Sequence, residues 1–131
     1  MDARRPRARR VAAGVKIFFD GSSRPAPVGM ATAVVARGQV MVRRDLGPGG
    51  SMDAEWLALI AAMQTALAIG AQDVLLLGDA AAVIAQANRK VRCPPSCAVH
   101  LATFLALPRP AGRLRIRHIR RTQNLAGIAL G

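Results

Sequence analysis

The sequence predicts an α/β domain in which a mixed sheet is covered by helices. Three observations carry that expectation. Three strand-like runs follow one another before any helix, separated by proline- and glycine-bearing turns. A strand then alternates with helical segments toward the C-terminus, the arrangement that adds parallel strands to a sheet. The length of 131 residues is that of one ordinary domain, enough to bury a core without disulfides or structural metal.

The elements follow in chain order. "VKIFFD" at 15–20 is rich in Val, Ile and Phe and reads as a strand, which "SSRPAPVG" interrupts because two prolines and a glycine cannot continue a ladder. Residues 28–36 form a second strand, Arg37 and Gly38 a hairpin turn, and residues 39–45 a third strand, completing an antiparallel meander. Residues 53–69 change to Ala, Leu, Ile and Met without proline, a helix with Ser51 or Asp53 as N-cap and Gly70 just past its end. "DVLLLGD" at 73–79 is a continuously apolar strand buried on both faces. "AAAVIAQANRK" is a helix closing on Arg89 and Lys90, whose charge suits its negative end. After "CPPS", residues 97–107 form a short helix. "RLRIRHIRR" then alternates Leu114, Ile116 and His118 on one face with Arg113, Arg115 and Arg117 on the other, so that His118 is expected to pack within the sheet. "NLAGIALG" is a final helical turn. No internal repeat interrupts this order.

Charge narrows the partners. Nineteen Lys and Arg against seven Asp and Glu give a net charge of +12, which favours a polyanion because each phosphate neutralised releases condensed counterions. Nucleic acid is the leading candidate; a basic surface that merely keeps the chain soluble is the plainer alternative. Residues 1–14, with "RRPRARR", offer little to bury and are expected to form a disordered basic arm before a folded domain at 15–131. The apolar segment after the arm contains Lys16 and ends on Asp20 without a cleavage-site pattern, so export is not expected and a cytoplasmic location is. Arginine-rich, acid-poor starts also resemble organelle transit peptides. No apolar stretch reaches the roughly 18 uninterrupted residues that span a bilayer, so no membrane partner is expected. The oligomeric state is expected to be monomeric. Cys93 and Cys97 in "CPPSC" have only His100 and His118 as further candidate zinc ligands; two reduced cysteines in a proline loop are the expectation, with a disulfide as the alternative.

The seven acids are Asp2, Asp20, Asp45, Asp53, Glu55, Asp73 and Asp79. Asp20 ends a strand, Glu55 lies in the first turn of the long helix, and Asp79 follows a buried strand and opens a helix. Taken singly, Glu55 could complement a helix dipole and Asp79 could be an N-cap. Ligands of open α/β sheets nevertheless gather at the carboxyl ends of strands. Should the three acids converge, their mutual repulsion calls for a cation, and Mg2+, with its preference for hard oxygen ligands, meets that need.

"FFDGSS", "DAEWLALIAAMQTALAIG", "VLLLGDAAAVIAQ" and "RRTQNLAGIAL" resemble, in order and spacing, the type 1 ribonuclease H family, from about residue 15 to the C-terminus. The resemblance implies the ribonuclease H-like fold, a five-stranded mixed sheet of three antiparallel strands and then parallel ones, flanked by helices. It implies metal-dependent hydrolysis of the RNA strand of an RNA–DNA hybrid by a two-metal-ion mechanism, leaving 5′-phosphate products, with Mg2+ or Mn2+ and no small-molecule cofactor. Asp20, Glu55 and Asp79 match three of the family's four catalytic, metal-holding acids. Gly21, Ser22, Ser51, Met52, Arg121 and Asn124 fall where the family contacts nucleic acid. The departures are specific. The fourth acid would stand at Ile128, so a weakened second metal site and slower reaction are expected. Ser51 and Met52 replace a polar pair that touches RNA 2′-hydroxyls, and Ala80 and Ala81 replace polar residues after the third acid, which bears on hybrid discrimination. The family's basic insertion is missing, leaving Arg113, Arg115, Arg117, Arg120, Arg121 and the arm to supply phosphate contacts. Trp56 is expected in the core rather than as a stacking platform. The alternative function is a non-catalytic nucleic-acid-binding module with a degenerate ribonuclease H fold.

Overall fold

A computed structural model of the chain describes residues 14–131; all of the expected basic arm except Gly14 lies outside the described residues. Five strands, β1 (Val15–Arg24), β2 (Gly29–Ala36), β3 (Gln39–Arg43), β4 (Val74–Gly78) and β5 (Leu114–His118), form one sheet in the order β3-β2-β1-β4-β5. The β1–β2 and β2–β3 pairs are antiparallel, whereas β4 joins β1 and β5 joins β4 in parallel. Among the described residues four α-helices accompany them: α1 (Ser51–Ile69), α2 (Ala81–Ala87), α3 (Ala98–Ala106) and α4 (Leu125–Leu130). This is the mixed, helix-flanked sheet of the ribonuclease H fold, with its elements in the expected order.

Period-two patterning divides the sheet into two faces. Val15, Ile17 and Phe19 of β1, with Leu76 of β4 and Ile116 of β5, face the main core, which Trp56, Leu59 and Met63 of α1, Val83 and Ile84 of α2 and Phe104 of α3 fill. Trp56 is fully buried there, and its indole N–H donates to Gln86 Oε1 at 2.9 Å. The opposite face holds a smaller cluster in which Ala126, Ala129 and Leu130 of α4 pack on Phe18, Ala33 and Val35. By length and composition α1 is apolar enough to cross a membrane. Its apolar residues instead serve as the centre of the core, eight of them buried.

Several boundaries differ from expectation, each for a local reason. β1 continues beyond Asp20 to Arg24, because Gly21 to Ser23 still pair with Thr32 to Met30 and the chain turns only at the prolines. α1 begins at Ser51, after the cap residue Gly50, whose N–H donates to Asp53 Oδ2 at 2.9 Å; Asp53 thus anchors the helix start from inside the first turn. Gly70 ends α1 in the left-handed conformation, as expected. α2 stops at Ala87, short of Arg89 and Lys90: Arg89 has φ 61°, which breaks the helix, and Asn88 donates its side-chain amide to the Ile116 carbonyl at 2.9 Å. His118 is exposed rather than packed. It ends the edge strand β5 opposite Gly78, where the paired residue has no side chain to cover it.

Candidate functional site

Asp20 lies within β1, Glu55 near the start of α1, and Asp79 directly after β4. The parallel register pairs Phe18 with Leu77, so Asp20 and Asp79, each two residues further on, stand side by side on the same face. Glu55 approaches them from the helix. One carboxylate oxygen from each of the three lies within 4.8 Å of the others, and all three residues are half-buried. The sequence separation of these acids is closed by the strand pairing and by the seating of α1 on β1.

That seating depends on Gly21. A Cβ there would lie 2.7 Å from the Glu55 backbone nitrogen and closer still to the Ala54 carbonyl. The missing side chain lets α1 approach β1 so nearly that the Gly21 N–H donates to Glu55 Oε1 at 3.1 Å. Ser23 continues the attachment, its hydroxyl donating to the Gly49 carbonyl just ahead of α1. Asp53, two residues before Glu55, accepts from Gly50 and meets His100 Nε2 at 2.8 Å. The Gly50 N–H, followed by the His100 contact, holds the Asp53 carboxyl below its usual range. His100 also stacks on Trp56, with ring centroids 6.4 Å apart, so α3 braces the helix that presents Glu55.

The electrostatics report crowding. Burial, and then the negative charge and hydrogen bond of Asp79, push Asp20 up to about 6 against the opposing pull of Arg121. Burial chiefly, with Asp20 and Asp79 beside it, pushes Glu55 up to about 7 despite the Gly21 hydrogen bond. Two acids that resist ionisation at near-neutral pH form a site that gains from a cation. The donor set of three hard carboxylate oxygens within one small space, with no sulfur or nitrogen among the clustered ligands, fits a divalent ion such as Mg2+ or Mn2+.

The other expected site residues separate into groups. Ser51 and Met52 line a 210 Å³ pocket with Glu55 and residues 80–83, so they adjoin the acids. Met52 is partly exposed, and its sulfur receives the Gln86 side-chain amide at 3.6 Å. Ser22 is half-buried in β1 opposite Ala31. Arg121 is exposed, and its charge reaches Asp20. Asn124 departs from its expected role as a nucleic-acid contact, because it is completely buried. Its amide donates to the Phe19 carbonyl at 3.0 Å and its Oδ1 accepts from Ala126 N–H at 3.1 Å, so it caps α4 and ties that helix to β1. Cys93 and Cys97 carry free thiols, and burial, followed by Cys97, raises the Cys93 thiol.

One participant carried no signal in the sequence. A Cβ on Gly127 would lie 3.5 Å from Asp20 Oδ2, so the α4 backbone itself forms a wall of the site. The adjacent Ile128, where the family resemblance places a fourth acid, is 69% exposed.

A family model described as reverse transcriptase-like matches residues 19–130. A sequence search of curated proteins finds no match. Among solved structures, RNase H1 from the halophilic archaeon Halobacterium salinarum NRC-1 is 27% identical with a TM-score of 0.76, covering 89% of this chain and 93% of that one. The N-terminal RNase H domain of a Mycobacterium tuberculosis protein, solved as a fusion with maltose binding protein, is 22% identical with a TM-score of 0.75, covering 85% of each chain. LC11-RNase H1, isolated from compost by a metagenomic approach and solved in complex with an RNA/DNA hybrid, is 17% identical with a TM-score of 0.66, over 89% of this chain and 99% of that one. With the family model spanning nearly all the described residues, the chain belongs to the reverse transcriptase-like family and carries the type 1 ribonuclease H fold.

Proposed function

We propose that this protein is a divalent-metal-dependent ribonuclease H that hydrolyses the RNA strand of RNA–DNA hybrids. The observation that carries the reading is the convergence of Asp20, Glu55 and Asp79, with ligand oxygens within 4.8 Å, in a chain of otherwise strongly basic character. Similarity to ribonucleases H1, one of them solved with an RNA/DNA hybrid, supports the choice of substrate.

Asp20, Glu55 and Asp79 would hold the metal. When bound, it supplies positive charge to offset the charge developing on the scissile phosphate and assists the ionisation of the attacking water. The chain's own groups do the rest. Gly21 N–H fixes one oxygen of Glu55, which leaves the other directed by that anchor. Glu55 and Asp20, both raised, can carry protons near neutral pH and release them as a cation enters. Arg121 adds a positive charge beside Asp20, suited to a phosphate approaching the same point. In the net reaction a water oxygen bonds to phosphorus, the bond from phosphorus to the 3′-oxygen breaks, and the departing oxygen takes up a proton, which gives a 5′-phosphate and a 3′-hydroxyl.

The test is cleavage of an end-labelled hybrid with Mg2+ or Mn2+, set beside the same experiment with Asp20→Asn. The expected result is cutting of the RNA strand by the wild type alone. Ile128 at the place of a fourth acid favours a second reading, a binding module on the same fold. Tight hybrid binding with no cutting at any metal concentration would select it.

A further inference from the structure

The sheet face that bears the acids also bears a row of cations leading away from them. On this face β1 presents Lys16, Phe18 and Asp20, β4 presents Leu75 and Leu77, and β5 with its preceding residue presents Arg113, Arg115 and Arg117. The parallel register aligns Lys16, Leu75 and Arg115 in one row and Phe18, Leu77 and Arg117 in the next, one row short of Asp20 and Asp79. α4 packs over β1, β2 and β3, and Arg113 and Arg117 remain exposed. Arg115 is half-buried, and its Nε, shielded from solvent, has no hydrogen-bond partner among the described residues. Asp73 lines a 270 Å³ pocket with Lys16, Leu75 and Arg115, and its Oδ1 already accepts the Arg113 N–H at 2.9 Å. The one ion pair among the described residues, His100–Asp53, is elsewhere.

We propose that this face is a lane for a single-stranded segment of nucleic acid that continues beyond the cutting point. Successive same-face residues of a strand stand about 6.6 Å apart, two rises of a parallel strand. That matches the spacing of successive phosphates along an extended single strand, so Arg117, Arg115 and Arg113 meet consecutive phosphates. A phosphate oxygen satisfies the orphaned Arg115 Nε, which otherwise costs free energy in its shielded position. Between the arginines and Lys16 the floor is the half-buried Leu75, an apolar surface against which a base can lie, while Leu77 is buried and Phe18 packs against α4. A duplex would bring its phosphates in two separated lines; this face offers one. The proposal rests on the nuclease reading of the carboxylates, which fixes where the strand begins.

The experiment measures binding in EDTA, so it is independent of cleavage. Fluorescence anisotropy compares a blunt RNA–DNA hybrid with the same hybrid carrying a four-nucleotide single-stranded RNA extension at either the 5′ or the 3′ end. One of the two extensions is expected to tighten binding at least about fivefold. It should also steepen the slope of log affinity against log salt by about 2, as three contacted phosphates of a single strand predict. In the Lys16→Gln/Arg117→Gln double variant the ratio of extended to blunt affinity should fall toward one, whatever happens to the blunt affinity itself. The proposal is overturned if neither extension changes wild-type affinity or salt slope, or if the variant keeps the full ratio. Failure of the wild type to cut hybrids with metal, measured separately, would instead sink the nuclease reading.

Discussion

Replacing Asp20 with asparagine should stabilise the metal-free protein while weakening its response to metal. Asp20, Glu55 and Asp79 place carboxylate oxygens within 4.8 Å of one another. At an effective dielectric of ~20, two unit charges at that distance repel by about 3.5 kcal/mol. The residues are only half-buried, so solvent screening reduces each of the two repulsions that Asp20 contributes to about 1 kcal/mol. At pH 8, above both raised values, these repulsions are fully expressed in the wild type. Asparagine is nearly isosteric and can donate to Asp79 and Glu55, so about 2 kcal/mol of stability should be gained, or roughly 6–8 °C in Tm. Saturating Mn2+ should act in the opposite sense: at a hundred times its Kd it stabilises the wild type by about 2.7 kcal/mol and the variant by much less. The assay is thermal melting by circular dichroism in EDTA and across a Mn2+ titration. A lower Tm for Asp20→Asn in EDTA, or equal metal-induced shifts in both proteins, would refute the electrostatic reasoning.

The same crowding sets a pH dependence. Native pKa values of about 6 for Asp20 and about 7 for Glu55, against ordinary values of 3.8 and 4.5, mean that the folded state binds these protons more tightly than the unfolded chain. Their contribution is therefore present at about pH 4 and lost as pH rises to about 7, so urea midpoints of metal-free wild type should fall relative to Asp20→Asn across that window, and a rise would contradict the sign. Gly21→Ala should cost about 1–3 kcal/mol and remove hybrid cleavage, because its Cβ collides with the α1 backbone at Glu55; a wild-type melting curve and cutting rate would contradict the contact. Asn124→Ala should lower stability by about 1–3 kcal/mol through the lost cap and the unpaired Phe19 carbonyl, with hybrid affinity of the folded protein unchanged; weaker affinity without lost stability would restore its role as a contact. Ile128→Asp, at an exposed position costing little stability, should raise cleavage or lower the metal concentration needed, and an unchanged metal titration would count against Ile128 as the place of the fourth acid.

Much of this architecture is legible in the sequence because its signals are local. Proline pairs, the left-handed Gly70 and the period-two strands mark where elements stop and which face they bury. The acids are legible for a different reason: taken singly, Glu55 could complement a helix dipole and Asp79 could be an N-cap, and it is the four family-like motifs in order that join them to Asp20. What escapes local reading is long-range. The extension of β1 through Gly21, Ser22 and Ser23 is decided by pairing with β2, not by the propensity of those residues. Asn124 sits in a polar stretch and reads as exposed; its burial comes from the Phe19 carbonyl, 105 residues earlier, which needs a donor. His118 follows the alternation of β5 yet is exposed at the strand's end, opposite Gly78, whose missing side chain leaves it uncovered. Gly127 is silent as a letter, since its nearness to Asp20 comes only from the way α4 seats on the sheet.

The central claim is that the three carboxylates jointly grip a divalent ion. A crystal soaked in Mn2+ and measured for anomalous scattering tests it most directly. The account predicts anomalous density coordinated by oxygens of Asp20, Glu55 and Asp79. Density confined to other acids, or a saturating soak that leaves these three without an ion, would contradict it.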